Sequence, residues 1–198
     1  MTCSGAKWSD PGQLKRILNR FLDILLKTRH IRLVAFDVDG VLTDGRLYYS
    51  ETGDAMKAFD VRDGMGMKLL QDAGIELAII TSRRAASVLL RAGDLGISHV
   101  QQGVADKRSG FDELLSAMGM APEEAAFMGD DLVDLPVFRH CGFAVTVADA
   151  PALLKRHADY VTRAAGGRGA VREFSEMLLH GRGALNAQTR RFLATAPR

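Results

Sequence analysis

Ile31-Arg-Leu-Val-Ala-Phe-Asp37-Val-Asp39-Gly40-Val-Leu-Thr-Asp-Gly45 is the stretch around which the rest of the chain is organised. A run of apolar β-formers stops abruptly at Asp37 and Asp39, two acids at strand spacing with Gly40 directly behind them. This delivers two carboxylates to the end of a buried strand. Like charges held that close at the dry edge of a sheet raise one another's pKa unless a cation lies between them, so the arrangement asks for a divalent metal. The same letters read equally well as a strand and an Asp-Gly turn, which any α/β protein contains, so the choice falls to the remainder of the chain.

With 198 residues, 47% of them hydrophobic and 25% charged, the chain fits one globular domain that buries a full core without disulfides or a structural metal. A net charge of +2, with acids and bases interspersed, leaves no electrostatic footprint for nucleic acid but is compatible with small anionic substrates. Cys3 and Cys141 are too few and too unpatterned for a disulfide framework or a zinc site, and they read as structural residues in a reducing cytoplasm. The first thirty residues carry neither an 18-residue apolar run nor a small-residue cleavage pattern, so no membrane span and no secretory signal is expected. Asp10-Pro11 reads as a cap and first helical position. Leu14, Leu18, Phe21, Leu22, Leu25 and Leu26 follow at helical spacing, with Lys15, Arg16, Arg20 and Lys27 on other faces. Residues 1–30 are therefore expected to form an amphipathic, basic helical extension that packs on its own domain or on a neighbouring subunit, a membrane surface or partner being the other use of such a helix.

Residues 46–60 hold two short β-prone runs joined by Glu51-Thr52-Gly53-Asp54 and read as a β-hairpin. From Asp63 the pattern alternates: a helix to about Ala73, a strand 75–80, a helix 85–95, a short strand 99–101 and a helix 106–118. Pro122 opens a turn, and after it come a strand 125–128, a helix 132–140, a strand 143–147, a short helix begun at Pro151, a strand 159–162 and a helix 171–179. This order predicts an α/β fold, a doubly wound and mostly parallel sheet with a small hairpin insertion, whose ligand site lies beyond the carboxyl ends of the strands. Residues 181–198 are taken as a C-terminal tail.

Three further strand ends carry chemistry. The strand 76–80 ends in Thr81-Ser82-Arg83, a hydroxyl able to bond a phosphoryl oxygen, although Thr and Ser also begin many helices as caps. Lys107 falls in the first turn of a helix, where most lysines are merely solvated. The strand 125–128 ends in Gly129-Asp130-Asp131-Leu-Val-Asp134, three acids at the mouth of a helix whose dipole favours them there.

Taken in order, Asp-x-Asp-Gly-Val-x-Thr-Asp, the strand-end Thr81, the helix-borne Lys107 and Gly-Asp-Asp-x-x-Asp resemble the four signatures of the haloacid dehalogenase superfamily of phosphohydrolases. Phe59-Asp-Val-Arg-Asp-Gly-Met-Gly66, Gln102-Gly103, Ala148-Asp-Ala, Ala158-Asp-Tyr-Val-Thr-Arg163 and Gly166-Gly-Arg-Gly-Ala-Val-Arg-Glu173 narrow the match. They resemble the 3-deoxy-D-manno-octulosonate 8-phosphate phosphatases over roughly residues 31–180. The resemblance implies that Asp37 is the nucleophile that becomes an aspartyl-phosphate and that Asp39 is the acid and later the base. It also implies that Mg²⁺ is held by Asp37, the Asp39 backbone carbonyl and Asp130, that Thr81 and Lys107 hold the phosphoryl oxygens, and that Asp131 and Asp134 support the metal's surroundings. An acidic sugar phosphate needs a cation for its carboxylate, for which Arg62, Arg83 and Arg168 stand in suitable segments.

The implied protein is a cytoplasmic sugar-phosphate monoesterase feeding lipopolysaccharide synthesis. Its rivals are a phosphatase of nine-carbon acidic sugar phosphates, a nucleotide phosphatase and a catalytically silent oligomerisation module of the same fold. Ser82 stands where the family usually has glycine, which would strain the loop if that position needed a positive φ. The spacings 44–81 and 81–107 leave no room for a cap domain. The apolar hairpin 46–60, with arms of about six residues, is then expected to pair with neighbouring copies in a homotetramer and cover the sites.

Overall fold

The computed structural model describes residues 11–51 and 55–195. Asp10, Cys3 and the hairpin turn residues 52–54 lie outside that set. The core begins with strand β1 (Leu33–Phe36), four apolar residues with no exposed surface. A strand that apolar on both faces must be covered on both, which places it centrally. It pairs in parallel with β4 (Glu76–Thr81) on one side and with β6 (Ala125–Gly129) on the other. Beyond β4 lies β5 (His99–Gln102), and beyond β6 lie β7 (Phe143–Thr146) and β8 (Tyr160–Val161). The order β5-β4-β1-β6-β7-β8 is parallel throughout, so the chain winds outward from β1 to one edge and then returns to build the other. All the strand-end residues named above consequently meet at one rim of the sheet, where the winding reverses beside β1.

Helix α1 (Pro11–His30) packs on α7 (Ala170–Gly181), and α7 packs on α2 (Val61–Asp72). Helix α3 (Ala86–Leu95) links β4 to β5, and α4 (Lys107–Met118) follows β5 and packs on the four-residue α5 (Leu135–Phe138). A second short helix, α6 (Ala152–Lys155), precedes β8. Phe36, Phe111, Phe127, Phe143 and Phe174 fill the interior, with the rings of Phe111 and Phe127 edge to face at 5.9 Å.

Several boundaries differ from the sequence reading. Helix α2 starts at Val61 rather than Asp63, because Asp60 caps it by accepting the Arg62 N–H. The helix expected over 132–140 is broken into a 3₁₀ turn (Leu132–Asp134) and α5, since the Asp134 side chain turns back to the preceding loop and Pro136 supplies no N–H. The region drawn as a tail contains α8 (Leu185–Thr195), which packs on α7. The hairpin forms, but β2 (Tyr48–Tyr49) and β3 (Ala55–Met56) are two residues each, well short of six-residue arms. No non-glycine residue among those described has a positive φ, so Ser82 sits in its loop without the anticipated strain. Between Asp44 and Thr81 the described chain holds only the hairpin, α2 and β4, and no cap domain interrupts it.

Candidate active site

The β1 ladder runs one residue past the strand: the Asp37 N–H donates to the Met128 carbonyl at 2.9 Å, which anchors the first acid directly beside β6. Asp37 is 5% exposed, and its Oδ1 accepts the Val38 N–H at 2.6 Å. Its Oδ2 lies 2.6 Å from Lys107 Nζ, and the same ammonium donates to Asp134 Oδ1 at 2.6 Å. Lys107 reaches the acids because it is the first residue of α4, set by the Asp106 cap, whose carboxylate accepts the N–H groups of Arg108 and Ser109. Burial works against the Lys107 ammonium, but Asp37 and Asp134 outweigh it and its pKa rises.

Asp134 has no exposed surface and uses its second oxygen to accept the N–H groups of Asp130 at 2.9 Å and Asp131 at 3.2 Å. It therefore ties the exit of β6 to Lys107, with both oxygens engaged. Asp130 carries its carboxylate toward the same point, and one ligand oxygen from each of Asp37, Asp130 and Asp134 lies within 4.8 Å of the others. Burial pushes the Asp130 carboxyl up to about 8, with the charges of Asp37 and Asp134 adding to it, and burial raises Asp37 to about 6 against the pull of Lys107. Hard oxygen donors crowded into a site that resists their ionisation fit a Mg²⁺ ion, which Asp37 and Asp130 would hold, Asp37 while also facing Lys107. Gly40, at φ +81°, completes the cradle, because a Cβ there would sit 2.0 Å from Asp130 Oδ2.

Asp39 stands two residues beyond Asp37 with its side chain 21% exposed. Its Oδ1 accepts a hydrogen bond from Lys57 Nζ, and its Oδ2 is 3.7 Å from Arg83 Nε. Thr81, 2% exposed, ends β4 one strand over, and its carbonyl accepts the Val104 N–H at 3.1 Å, tying the loop after β5 to the same rim. The three arginines are divided. Arg83 meets Asp39, Arg168 Nη2 is 3.7 Å from Asp44 Oδ2, and Arg62 is committed to Asp60 at 2.7 Å while also donating to the Arg168 carbonyl at 3.4 Å.

Two residues that sequence reasoning did not single out shape this rim. Lys57, buried on the returning limb of the hairpin, reaches Asp39; nothing in the local sequence separates it from a solvated lysine. Asp63, 2% exposed, accepts the N–H groups of Gly169 and Arg172 and so docks the segment 166–172 over the site. Its place between Arg62 and Gly64 in the quoted motif was the available signal. The docked segment is tight: a Cβ on Gly166 would lie 1.7 Å from the Gly40 carbonyl oxygen, and the Gly167 N–H donates to the Val41 carbonyl at 2.9 Å. Cys141 packs against the core with its thiol pushed up to about 12 by burial, as an inert structural residue does.

Known proteins share this architecture. The haloacid dehalogenase-like hydrolase family model matches residues 95–174. The chain is 49% identical over 164 residues to the 3-deoxy-D-manno-octulosonate 8-phosphate phosphatase KdsC of Escherichia coli K12, spanning 83% of this chain and 87% of that one. A crystal structure of the Moraxella catarrhalis 3-deoxy-D-manno-octulosonate 8-phosphate phosphatase, in complex with magnesium, phosphate and KDO, superposes with a TM-score of 0.84 at 42% identity, covering 86% of this chain and 98% of that one. A Legionella pneumophila hydrolase of haloacid dehalogenase subfamily III A superposes at 0.87 and 39% identity, covering 91% and 100%. By sequence over most of its length and by fold, the chain belongs to the 3-deoxy-D-manno-octulosonate 8-phosphate phosphatases of the haloacid dehalogenase superfamily.

Proposed function

We propose that this chain is a Mg²⁺-dependent phosphomonoesterase that hydrolyses 3-deoxy-D-manno-octulosonate 8-phosphate to the free sugar acid and phosphate. The observation that carries the reading is the buried Asp37 carboxylate, backed by Lys107 and converging with Asp130 at the carboxyl rim of the sheet. An Asp37 oxygen attacks phosphorus, and as that bond forms the bond from phosphorus to the sugar oxygen breaks. The departing electron pair stays on the sugar oxygen, which takes a proton from Asp39. Water then attacks the aspartyl-phosphate, Asp39 takes a proton from it, and the electron pair of the acyl-phosphate bond returns to Asp37. Mg²⁺ held by Asp37, the Asp39 carbonyl and Asp130 would offset the repulsion between an anionic nucleophile and an anionic phosphate.

Lys107, charged and within reach of Asp37, and the buried Thr81 hydroxyl supply cation and donor for the phosphoryl oxygens in transit, where phosphoryl transfer gains most of its rate. Arg62, Arg83 and Arg168 would supply charge for the substrate carboxylate. The product is a lipopolysaccharide precursor made in the cytoplasm, and no helix of the described residues is long and apolar enough to cross a membrane. The working unit is a homotetramer whose hairpins pair between copies. A phosphate-release screen across acidic and neutral sugar phosphates, with Mg²⁺ or with EDTA, tests the reading. Hydrolysis of the eight-carbon acid is expected to exceed that of neutral sugars and to vanish in EDTA; equal rates on all, or full activity in verified metal-free protein, would reject it.

A further inference from the structure

Among the described residues the buried lysines are Lys107 and Lys57. The first has a task beside Asp37, whereas the reaction as written leaves the second without one. Lys57 has a side chain 2% exposed, and its ammonium meets Asp39 Oδ1. A buried ammonium is unfavourable unless it is paired, so the position is not one a lysine occupies by default. The backbone that carries it is held from both directions. Phe59, two residues on, packs against the core, Asp60 caps α2, and on the other side β3 pairs with β2. Lys57 is thus presented to Asp39 from a braced strand-to-helix connection, across a loop that is itself clasped by Gly166 and Gly167.

The two oxygens of Asp39 are consequently unlike. Oδ1 is taken by Lys57, while among the described residues Oδ2 meets Arg83 Nε at 3.7 Å, beyond a good hydrogen bond. Resting on the phosphatase reading above, we propose that Lys57 is a positioning residue for the proton transfers. Its ammonium holds Oδ1 and so fixes the plane of the Asp39 carboxyl, making Oδ2 the atom that gives its proton to the sugar oxygen and later takes one from water. Lys57 donates to Oδ1 whether or not Oδ2 carries a proton, so the same contact serves both halves of the cycle. The hairpin would then act on the chemistry directly as well as covering the site.

The test compares leaving groups, because an alkoxide needs the proton and p-nitrophenolate does not. In Lys57→Met, kcat/KM for the sugar phosphate is expected to fall about 10²-fold, the usual worth of a positioned general acid, while kcat/KM for p-nitrophenyl phosphate stays within about threefold. With the aryl substrate a burst of p-nitrophenolate equal to the enzyme concentration should appear, since water attack on the aspartyl-phosphate still needs Asp39. Lys57→Arg should restore part of the loss. Equal losses on both substrates, or no loss on the sugar phosphate, would overturn the proposal. Should Lys57→Met fail to fold, Lys57→Gln placed in the Asp39→Asn background decides: no further loss on the sugar phosphate supports the proposal, and an additive loss overturns it. A wild-type protein inactive on both substrates with Mg²⁺ would instead overturn the hydrolase reading, and this inference with it.

Discussion

At Asp130 the protein keeps a carboxyl whose burial and anionic neighbours push it up to about 8, with Asp37 beside it at about 6. A carboxyl raised in the folded state binds its proton more tightly there than in the unfolded chain. In metal-free protein these two groups therefore make stability fall as pH rises from near 4 toward 8, since across that window the native state holds the extra protons. A divalent cation needs both carboxylates ionised, so Mg²⁺ uptake should release protons, and its apparent affinity should rise steadily between pH 6 and 8. Titration calorimetry in buffers of differing ionisation enthalpy measures both quantities, and an affinity flat across that range would contradict the carboxylate pair. At Asp37 itself, Asp37→Asn should remove turnover to background with the fold retained, because an amide does not attack phosphorus. Circular dichroism beside a phosphate-release assay checks this, and substantial residual activity would exclude the covalent route.

Among the elements, the segment joining β8 to α7 determines how well the rim is assembled. Asp63 on α2 holds the N–H groups of Gly169 and Arg172, while Gly166 and Gly167 press directly on the backbone that follows Asp39. Gly166→Ala would place its Cβ against the Gly40 carbonyl, a backbone atom that cannot step aside like a side-chain tip. The expected result is a loss of about 1–3 kcal/mol, as for other overpacked sites, together with weaker Mg²⁺ binding, because the displaced backbone carries the Asp39 carbonyl. Gly93→Ala is the contrasting case. It lies exposed in α3 with nothing within 4 Å of a new Cβ, and should be stabilising by about 0.5–1 kcal/mol. Thermal melts of the two variants, with and without Mg²⁺, separate these outcomes; an unchanged melt for Gly166→Ala would show that the clasp yields.

For the molecule as a whole, the hairpin is the feature a lone copy explains least. Tyr48, Tyr49 and Met56 are 48%, 64% and 72% exposed on strands of two residues, a size of hairpin that is marginal by itself in water. Pairing with hairpins of neighbouring copies would bury those side chains and extend a very short ladder, and a closed ring leaves no free edge. Light scattering after size exclusion should give a mass near four times 21.5 kDa. Tyr49→Asp together with Met56→Asp should shift that mass toward the monomer by placing charge in the buried ring. A wild-type monomer with full activity would reject the tetramer. The exposed stripe of Leu14, Leu18, Leu22 and Leu26 on α1 leaves a second apolar face in the isolated chain.

Periodicity and strand-end chemistry were enough to read the α/β winding, the buried β1 and the strand-end acids Asp37, Asp39 and Asp130, each visible within a few residues of chain, whereas Thr81 and Lys107 stood out only through the order of the four motifs and the family they resemble. An apolar run stopped by acids is a local pattern, and local patterns survive in one dimension. The breaks at Leu132–Asp134 and the start of α2 were missed because side chains, rather than periodicity, set them: Asp134 turning back to Asp130, and Asp60 capping Arg62. What the tertiary structure alone decided are the pairings across long separations. Lys107 is shared between Asp37 and Asp134, Asp63 docks the segment 166–172, and Lys57 spans 18 positions to Asp39. A lysine or aspartate in the sequence carries the same charge wherever it lies, and only packing determines whether water or a particular opposite charge surrounds it.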